Sequence, residues 1–458
     1  MEFVHRPYQS SETIAALATA PGEGPVAIIR LSGKEAVAIA GKLFSGPVAS
    51  FQSHTVNYGK ILDAEGETID EVLLVLMLAP RTYTGEDTIE IQCHGGSLIA
   101  KQVLEAVLKA GARAALPGEF TFRAFINGKL DLAQAEAVQE LIAAKNNVAL
   151  KAAEEQLKGT LSKQISEFQK ELVDIAAILE AWVDFPEEGL EFASMEEVCA
   201  SLEETKRKME GLSRTFHYGK MVQAGISLCL AGAPNVGKSS LMNFLLGKER
   251  AIVTDIPGTT RDTLEEELRL GGLHFRLTDT AGIRQTEEVI EQEGIRRSLA
   301  AMESADLILL VLDASRNLKE EDLALIEKAP RAKTLLVWNK IDLPHTLPSQ
   351  FSFEHQVNIS AKCHIGIDAL LQAIEKIITK GKPFSKEEVV ITNVRHHEAL
   401  KSAIDSCEKL IDGLKNGVSP EFLSSEMRQT LRELGAIIGI NIGEDILSAI
   451  FSKFCVGK

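Results

Sequence analysis

The most constraining feature of the sequence is a glycine-rich loop between two apolar segments. Ile226–Ala231 predicts a buried strand and residues 241–246 predict a helix. The loop between them consists of Gly232, Ala233, Pro234, Asn235, Val236, Gly237, Lys238, Ser239 and Ser240. Glycines let backbone N–H groups converge on phosphate oxygens, and a helix N-terminus favours the anion. The pattern predicts a phosphate-binding loop in which Lys238 neutralises the β and γ phosphates and Ser239 binds Mg²⁺.

Two later motifs follow predicted strands and indicate which base is bound. Residues 334–338 predict a strand that ends in Asn339, Lys340, Ile341 and Asp342. The Asp342 carboxylate can accept two hydrogen bonds from guanine, whereas adenine would leave it unsatisfied. Ser360, Ala361 and Lys362 follow a second predicted strand at 357–359, where a backbone contact with the base is expected. The predicted nucleotide is therefore GTP or GDP.

Two further segments are predicted to surround the γ-phosphate. The first is a polar loop with Thr260 as the second Mg²⁺ ligand, and it consists of Thr254, Asp255, Ile256, Pro257, Gly258, Thr259 and Thr260. The second follows a predicted strand at 274–278 and consists of Asp279, Thr280, Ala281 and Gly282. Asp279 is expected to hold the Mg²⁺ shell, and the N–H of Gly282 to meet the γ-phosphate.

The residue that orients the attacking water is not where Ras-type GTPases carry it. Those enzymes have a glutamine directly after the second segment. In this sequence that position is Ile283, an apolar side chain that cannot orient water. The polar alternatives that spacing leaves open are Glu287, Glu288, Glu291 and Glu293.

The length and texture of the chain predict a multidomain protein. With 458 residues, about three domains are expected. Residues 1–125 alternate short apolar runs with turns, which predicts an α/β or α+β domain. Residues 126–222 and 382–458 show helical periodicity and predict one discontinuous all-α domain. Residues 223–381 would be a Ras-like α/β P-loop domain inserted into it.

Charge and composition exclude some classes of function. The net charge of −16 argues against a simple RNA-binding module, because non-specific RNA binding depends on lysine and arginine. The conspicuous apolar run at 72–79 is eight residues long and suits a strand, so no membrane span is expected. The six cysteines are scattered without zinc spacing, which predicts reduced thiols and a cytoplasmic protein.

Further motifs lie outside the predicted nucleotide domain. Those of the N-terminal part are Gly24-Pro25-Val26-Ala27-Ile28-Ile29-Arg30, Thr84-Gly85-Glu86-Asp87, Cys93-His94-Gly95-Gly96 and Pro117-Gly118-Glu119-Phe120-Thr121. Those of the helical part are residues 127–136, residues 184–188 and the terminal Phe454-Cys455-Val456-Gly457-Lys458. Together with the nucleotide motifs, they make the sequence resemble the MnmE (TrmE) family of tRNA-modification GTPases from end to end.

The resemblance implies how the nucleotide domain works. Members are GTPases activated by potassium and by pairing of their G domains. The implied K⁺ ligands are Asn235, Thr254, Ile256 and Thr259. A cation at that place would supply the charge that an arginine finger supplies elsewhere. The glutamate that orients water in the family corresponds to Glu291.

The resemblance also implies a folate site and a constitutive homodimer, both formed by the N-terminal domain. The positions that would contact a 5-formyl- or 5,10-methylene-tetrahydrofolate are Arg30, Glu90, Lys129 and Lys458. Cys455 stands beside the cations Lys453 and Lys458. The family context gives Cys455 a role near the folate, as nucleophile, acid or packing group.

The implied reaction needs a partner. Family members act with the flavoprotein MnmG (GidA) to add a carboxymethylaminomethyl or aminomethyl group at C5 of the wobble uridine of certain tRNAs. Two alternatives are a ribosome-assembly or signalling GTPase of the Era or EngA type, and a folate enzyme that GTP merely regulates. An Era- or EngA-type protein is expected to carry a basic RNA-binding module or a second G domain, and the sequence shows neither.

Overall fold

The computed structural model describes residues 12–184, 194–248, 266–270, 273–278, 301–345, 353–378 and 389–457. The chain divides into two compact units. The first consists of Met1–Gln139, Gln156–Leu202 and Asp405–Lys458, and the second of Glu140–Glu155 and Glu203–Ile404. This division into two units does not test the predicted domain ranges 1–125, 126–222, 223–381 and 382–458, which stay predictions.

The first unit contains a six-stranded sheet. Its strands are β1 (Ile14–Leu17), β2 (Val26–Ser32), β3 (Thr55–Leu62), β4 (Thr68–Met77), β5 (Thr88–His94) and β6 (Arg113–Ala114). Their order is β3-β4-β5-β2-β1-β6, and neighbours are antiparallel except β1 and β6. The accompanying helices are a 3₁₀ turn (Val48–Ser50), α1 (Ala36–Leu43), α2 (Ser97–Lys109) and α3 (Glu119–Ile126). The mainly antiparallel pairing makes this part α+β.

Alternation along the strands decides which face of this sheet is buried. Ile29 on β2 and Ile91 on β5 pack into one core with Ile39 of α1 and Val103 of α2. Side chains of a strand point to opposite faces in turn, so the neighbouring residues Arg30 and Glu90 lie on the other face. They are direct register partners in the β2–β5 ladder.

The helical stretches predicted from the periodicity are confirmed in the described residues. The helices between residues 132 and 224 are α4 (Leu132–Ala143), α5 (Asn147–Leu157), α6 (Thr160–Asp184), α7 (Met195–Arg214) and α8 (Phe216–Ala224). Those between residues 394 and 451 are α12 (Val394–Lys415), α13 (Pro420–Ile438) and α14 (Glu444–Phe451), and α9 to α11 belong to the second sheet described below. Of the motif at residues 184–188, all but Asp184 lies outside the described residues. Within the described ranges, none of the helices is both long and apolar enough to cross a membrane.

The second unit contains a mainly parallel sheet. Its strands are β7 (Ile226–Ala231), β8 (Glu266–Leu270), β9 (Leu273–Thr278), β10 (Leu307–Asp313), β11 (Thr334–Asn339) and β12 (Gln356–Asn358). Their order is β12-β11-β10-β7-β9-β8, and β8 alone among these pairs runs antiparallel to its neighbour. Its helices are α9 (Lys238–Lys248), α10 (Glu320–Lys328), α11 (Ile367–Ile378) and a 3₁₀ turn (Arg331–Lys333).

Helices cover both faces of this sheet, and every residue of β10 and β11 is buried. Leu241 of α9 and Leu370 of α11 pack into one core cluster, while Leu325 of α10 packs into another. Parallel strands covered on both sides need nearly continuous apolar sequence, which explains the runs of leucine and valine. Loops that follow parallel strands meet at the carboxyl edge of such a sheet, where ligands bind.

Burial separates the six cysteines into two groups and gives a test of the fold. Cys363 and Cys455 are exposed, whereas Cys93, Cys199, Cys229 and Cys407 are buried. Burial raises the pKa of the Cys93 thiol to about 11, which leaves little reactive thiolate at neutral pH.

We therefore expect a thiol reagent such as Ellman's reagent to modify two cysteines in the native protein and all six after denaturation. The absorbance of the released thiolate measures the count. Cys363→Ser and Cys455→Ser should each remove one native equivalent, while Cys407→Ser should remove none. Rapid reaction of a third native thiol would contradict the burial of the other four.

Candidate functional site

The predicted phosphate loop lies at the carboxyl edge of the second sheet. β7 ends at Ala231 and α9 begins at Lys238. Gly237 has a φ of 100°, and a Cβ at this position would collide with the side-chain amide nitrogen of Asn339. Glycine alone tolerates both the conformation and the close approach. The loop is thereby packed against the end of β11.

The side chain of Lys238 folds back over this loop. Its Nζ donates hydrogen bonds to the carbonyl oxygens of Gly232 at 2.6 Å and Ala233 at 2.8 Å. Burial lowers the pKa of the Lys238 ammonium, and the charge of Asp322 opposes that shift. A phosphate beside the ammonium would also favour its charged form. Lys238 can therefore bind an anion at the start of α9.

Other predicted residues of the loop differ in exposure. Val236 is buried, whereas Asn235, Ser239 and Ser240 are exposed. Asn235 has a φ of 61°, a left-handed conformation that asparagine tolerates better than most residues. The hydroxyl of Ser239, in the first turn of α9, is an oxygen donor of the kind that Mg²⁺ prefers. The exposed groups of the loop thus fit a metal-bound phosphate.

The amide of Asn339 joins three of the predicted motifs. Its Nδ2 donates to the carbonyl oxygen of Val236 at 2.8 Å, and its Oδ1 accepts from the N–H of Ala361 at 2.9 Å. The next residue, Lys340, donates from Nζ to the carbonyl oxygen of Asn235 at 2.8 Å. The phosphate loop, the end of β11 and the loop after β12 are therefore held together as one site.

Asp342 is exposed at the predicted base-binding side. A hydrogen bond from the side chain of Ser360 is the main cause that lowers the pKa of Asp342, and Lys362 and Cys363 act in the same direction. Ser360 is buried, and its Oγ accepts a hydrogen bond from the N–H of Cys363 at 3.0 Å. Asp342 is thus held as an ionised acceptor facing solvent, as recognition of two N–H donors requires.

The sequence reasoning missed Asp313, the last residue of β10. Its Oδ2 lies 2.6 Å from Nζ of Lys340, and its Oδ1 accepts from the N–H and the hydroxyl of Ser315. Burial acts to raise the pKa of Asp313, but the hydrogen bonds from Lys340 and Ser315 outweigh it and lower the pKa. The signal available in the sequence was a carboxylate at the end of an apolar strand, here β10 between β7 and β11.

Several predicted nucleotide and metal residues lie outside the described residues. They are the polar loop Thr254, Asp255, Ile256, Pro257, Gly258, Thr259 and Thr260, the segment Asp279, Thr280, Ala281 and Gly282, and the candidate water-orienting residue Glu291. The γ-phosphate side of the site therefore stays a prediction, as do all four K⁺ ligands, of which Asn235 lies within the described residues.

In the first unit, the predicted folate residues Arg30 and Glu90 form an ion pair. Arg30 Nε lies 2.8 Å from Glu90 Oε1, and Arg30 Nη1 donates to the carbonyl oxygen of Gly457 at 3.3 Å. The guanidinium carbon of Arg30 is 5.8 Å from the ring centre of Phe120. Lys129 instead donates from Nζ to the carbonyl oxygen of Pro80 at 3.0 Å. Lys458 lies outside the described residues.

The C-terminal segment is anchored next to Arg30. The carbonyl oxygen of Cys455 accepts from the N–H of Gly118 at 3.3 Å, and the thiol of Cys455 is exposed. Gly457 has a φ of 96°, and a Cβ there would collide with the carbonyl oxygen of Leu17. Phe451 packs edge-on against Phe122, with 5.3 Å between ring centres. The tail predicted to carry catalytic and folate-binding residues therefore borders the Arg30–Glu90 pair.

The sequence reasoning also missed Tyr83 beside this pair. Its hydroxyl lies 2.9 Å from Oγ1 of Thr121. Burial raises the pKa of Tyr83, while that hydrogen bond and the charge of Arg30 oppose the shift, so the phenol lies within the field of the guanidinium. Tyr83 directly precedes the motif that begins at Thr84.

Comparisons with known proteins cover the whole chain. The family model described as "MnmE helical domain" matches residues 132–455, and the one described as "GTP-binding protein TrmE N-terminus" matches residues 13–129. The chain is 62% identical to the "tRNA modification GTPase MnmE" of Protochlamydia amoebophila, with 100% of both chains covered. It is 45% identical to the protein of the same name from Syntrophotalea carbinolica, over 98% of this chain and 100% of that protein.

A solved structure of the G domain of the T. maritima FeoB iron transporter covers 33% of this chain and 98% of its own, with 26% identity and a TM-score of 0.23. Because that TM-score is low, the family assignment depends on the full-length relatives and the two family models. They confirm the resemblance inferred from the motifs and the predicted multidomain class of N-terminal, helical and nucleotide-binding parts. The chain belongs to the MnmE (TrmE) family of tRNA modification GTPases.

Proposed function

We propose that this protein binds and hydrolyses GTP and uses that activity in modifying tRNA. The observation that carries the GTP part is the Asn339 amide, which connects the phosphate loop at Val236 to the base-side loop at Ala361. That pair of hydrogen bonds brings the groups for phosphate and for guanine into one site. The tRNA part is supported by the full-length relatives, which are tRNA modification GTPases by name.

At the phosphate end, we assign binding to the loop amides and Lys238. The ammonium exchanges its bonds to the Gly232 and Ala233 carbonyls for phosphate oxygens, a change that keeps it hydrogen-bonded throughout. Ser239 and Thr260 would hold Mg²⁺, with Asp279 in its outer shell. Mg²⁺, when bound, neutralises charge on the β and γ phosphates.

At the base end, we assign recognition of guanine to Asp342. An ionised carboxylate accepts from both guanine N1–H and the exocyclic amine, and the hydrogen bond from Ser360 favours the ionised form. Lys340 bonds to the Asn235 carbonyl and the N–H of Ala361 bonds to Asn339, so both lie at the same edge of the sheet, and Lys362 follows as an exposed residue. Adenine in this place would leave the carboxylate without donors, which opposes ATP binding.

For hydrolysis, we assign the water-orienting role to Glu291 and a K⁺ site to Asn235, Thr254, Ile256 and Thr259. K⁺, when bound, supplies positive charge near the β and γ phosphates. Asn235 is the one of these residues that the structure describes, and its exposed side chain and left-handed backbone support a ligand role at the rim of the phosphate loop. Pairing of two G domains when GTP binds belongs to the same proposal.

For tRNA chemistry, we propose that Arg30, Glu90, Lys129 and Lys458 bind a 5-formyl- or 5,10-methylene-tetrahydrofolate. A guanidinium beside a carboxylate offers the donors and acceptors that a pterin ring requires. The carbon donor and the flavoprotein MnmG would together complete a carboxymethylaminomethyl or aminomethyl group on the wobble uridine. Cys455, exposed beside this pair, is the candidate for a chemical role. A homodimer through the N-terminal domain and a cytoplasmic location complete the proposal.

Asp342→Asn should change which base the protein accepts. An amide offers one donor and one acceptor, so it suits the carbonyl of xanthine in place of the guanine amine. We expect GTP affinity to fall about 100-fold and XTP affinity to rise. Equilibrium titration with fluorescent GDP, competed by GTP, XTP and ATP, measures both changes.

The matched control for this substitution is Asp368→Asn, an exposed aspartate in the first turn of α11. It should leave all three affinities unchanged. Wild-type protein that binds ATP as tightly as GTP would refute the assignment of Asp342.

Potassium should accelerate hydrolysis relative to sodium by about 100-fold, the magnitude of one well-placed electrostatic group. Asn235→Gly should abolish that difference, because glycine keeps the φ of 61° without strain while removing the side-chain oxygen. Phosphate release in KCl and NaCl at equal ionic strength measures the ratio. Equal wild-type rates in the two salts would remove the K⁺ assignment.

Gly457→Ala should displace the C-terminal segment and impair tRNA modification while leaving GTP hydrolysis unchanged. The added Cβ collides with the Leu17 carbonyl oxygen, and displacement removes the Gly457 carbonyl from Arg30. In cells lacking the native gene, mass spectrometry of wobble uridines should show restoration by wild type and reduced restoration by the variant.

Gly417→Ala is the matched control, because Gly417 also has a positive φ, of 68°, but no atom lies within 4 Å of an added Cβ. Full restoration of uridine modification by Gly457→Ala would show that the reaction does not depend on the position of the C-terminal segment. Unmodified uridines in cells that carry the wild-type protein would refute the tRNA role itself.

A further inference from the structure

Asp313 occupies a place where it can act on the nucleotide site without touching the nucleotide. It is the last residue of β10, which pairs with β7 on one side and β11 on the other. Its side chain is 6% exposed, and its main-chain register partner on β11 is Asn339. The carboxylate therefore lies under the loops that follow β7 and β11.

The principal partner of Asp313 is the ammonium of Lys340. The distance from Asp313 Oδ2 to Lys340 Nζ is 2.6 Å, and the lysine side chain is 32% exposed. The same Nζ donates to the carbonyl oxygen of Asn235 at 2.8 Å. Lysine carries a long flexible chain, so an anchored position needs a partner that outweighs its rotamer entropy. Asp313 is that partner on the side away from the phosphate loop.

Lys340 and Asn235 share a second feature. Both are non-glycine residues with left-handed backbones, with φ of 68° and 61° respectively. Such conformations persist when surrounding contacts hold them. The hydrogen bond from Lys340 to the Asn235 carbonyl links the two strained positions, and Asp313 fixes the lysine that makes it.

Asp313 is itself fixed from the other side. Its Oδ1 accepts from the N–H of Ser315 at 3.0 Å and from its hydroxyl at 2.6 Å. Arg316 Nε is 3.8 Å from Asp313 Oδ2, and Arg316 Nη1 is 2.8 Å from the fully buried Asp322 at the start of α10. Two carboxylates and two cations thus form a compensated cluster that ties the phosphate loop to β10 and α10.

We propose that Asp313 is a positioning residue for guanine-nucleotide binding, which holds Lys340 against the Asn235 carbonyl and so keeps the phosphate loop and the base-side loop in register. The inference rests on the proposed GTP site. It concerns nucleotide affinity and not the chemical step, because Asp313 makes its contacts with Lys340, Ser315 and Arg316 below the loop.

Asp313→Ala should raise the dissociation constant for fluorescent GDP about 10- to 100-fold, the effect of losing one charge-assisted hydrogen bond. Asp313→Asn keeps the acceptor oxygen and should show a smaller rise. The turnover number at saturating GTP should stay within about threefold of wild type, because the reacting groups remain. Thermal melting of each variant reports folding separately.

The matched control is Asp306→Ala, because Asp306 directly precedes β10 and Asp313 ends it. Asp306 Oδ2 accepts from the N–H of Ser227 at 2.9 Å, so its loss also removes a hydrogen bond of a carboxylate within this sheet. It should lower the melting temperature without changing the GDP dissociation constant. An equal loss of affinity in Asp306→Ala and Asp313→Ala would overturn the proposal, since the effect would then be general destabilisation.

A second comparison tests whether Asp313 affects GDP binding through Lys340. In a Lys340→Met background, Asp313→Ala should weaken GDP binding less than about twofold further, because the partner is already gone. The same loss in both backgrounds would overturn the role assigned to Lys340. If wild type fails to bind GDP, the proposed function falls. If wild type binds GDP and Asp313→Ala binds equally well, the positioning role alone falls.

Discussion

The candidate nucleotide site depends on the two hydrogen bonds made by the side-chain amide of Asn339. Asn339 is 2% exposed, so its amide has no water to replace a lost partner. One end bonds to Val236 and the other to the N–H of Ala361, and both partners belong to loops that have no regular hydrogen-bond ladder of their own. An unpaired buried amide costs about 1–3 kcal/mol at each end. The two loops are therefore held in place by the same residue.

The parallel sheet explains why the residues that serve this amide come from distant parts of the chain. β7, β10, β11 and β12 all run in one direction, so the residues that follow them collect at one edge. The ends of β10 and β11 supply Asp313, Asn339 and Lys340 as direct or near neighbours. Asn339 and Lys340 contact the phosphate loop directly, and Asp313 in turn holds Lys340.

Local sequence predicted the elements of this site well and the contacts between them less well. β7 has the predicted bounds because its apolar run ends at the first glycine of the phosphate loop. β1 and β3 give weaker local signals, since β1 is short and alanine-rich and the residues of β3 alternate with exposed positions. Asp313 was missed because a single aspartate after a strand is common, and its importance arises from Lys340, which lies 27 positions away.

The residues predicted to bind folate show the same limit more sharply. Arg30 and Glu90 could be paired only through the resemblance, although the antiparallel register of β2 and β5 makes them direct partners. The contact between Arg30 and Gly457 spans 427 positions, beyond any periodic signal in the sequence. The contact of Tyr83 was missed because it depends on the fold of α3, which brings Thr121 within hydrogen-bond distance.

The pairing of cations bears on how an acidic protein can take part in tRNA modification. In the first unit, Arg30, Arg113 and Arg123 each form an ion pair with a glutamate, and Arg123 is 2% exposed. In the second unit, Arg316 and Lys340 pair with Asp322 and Asp313. Arginines neutralised by carboxylates do not displace counterions from a phosphate backbone. These five cations are therefore engaged with carboxylates within the fold and do not by themselves supply a tRNA-binding surface.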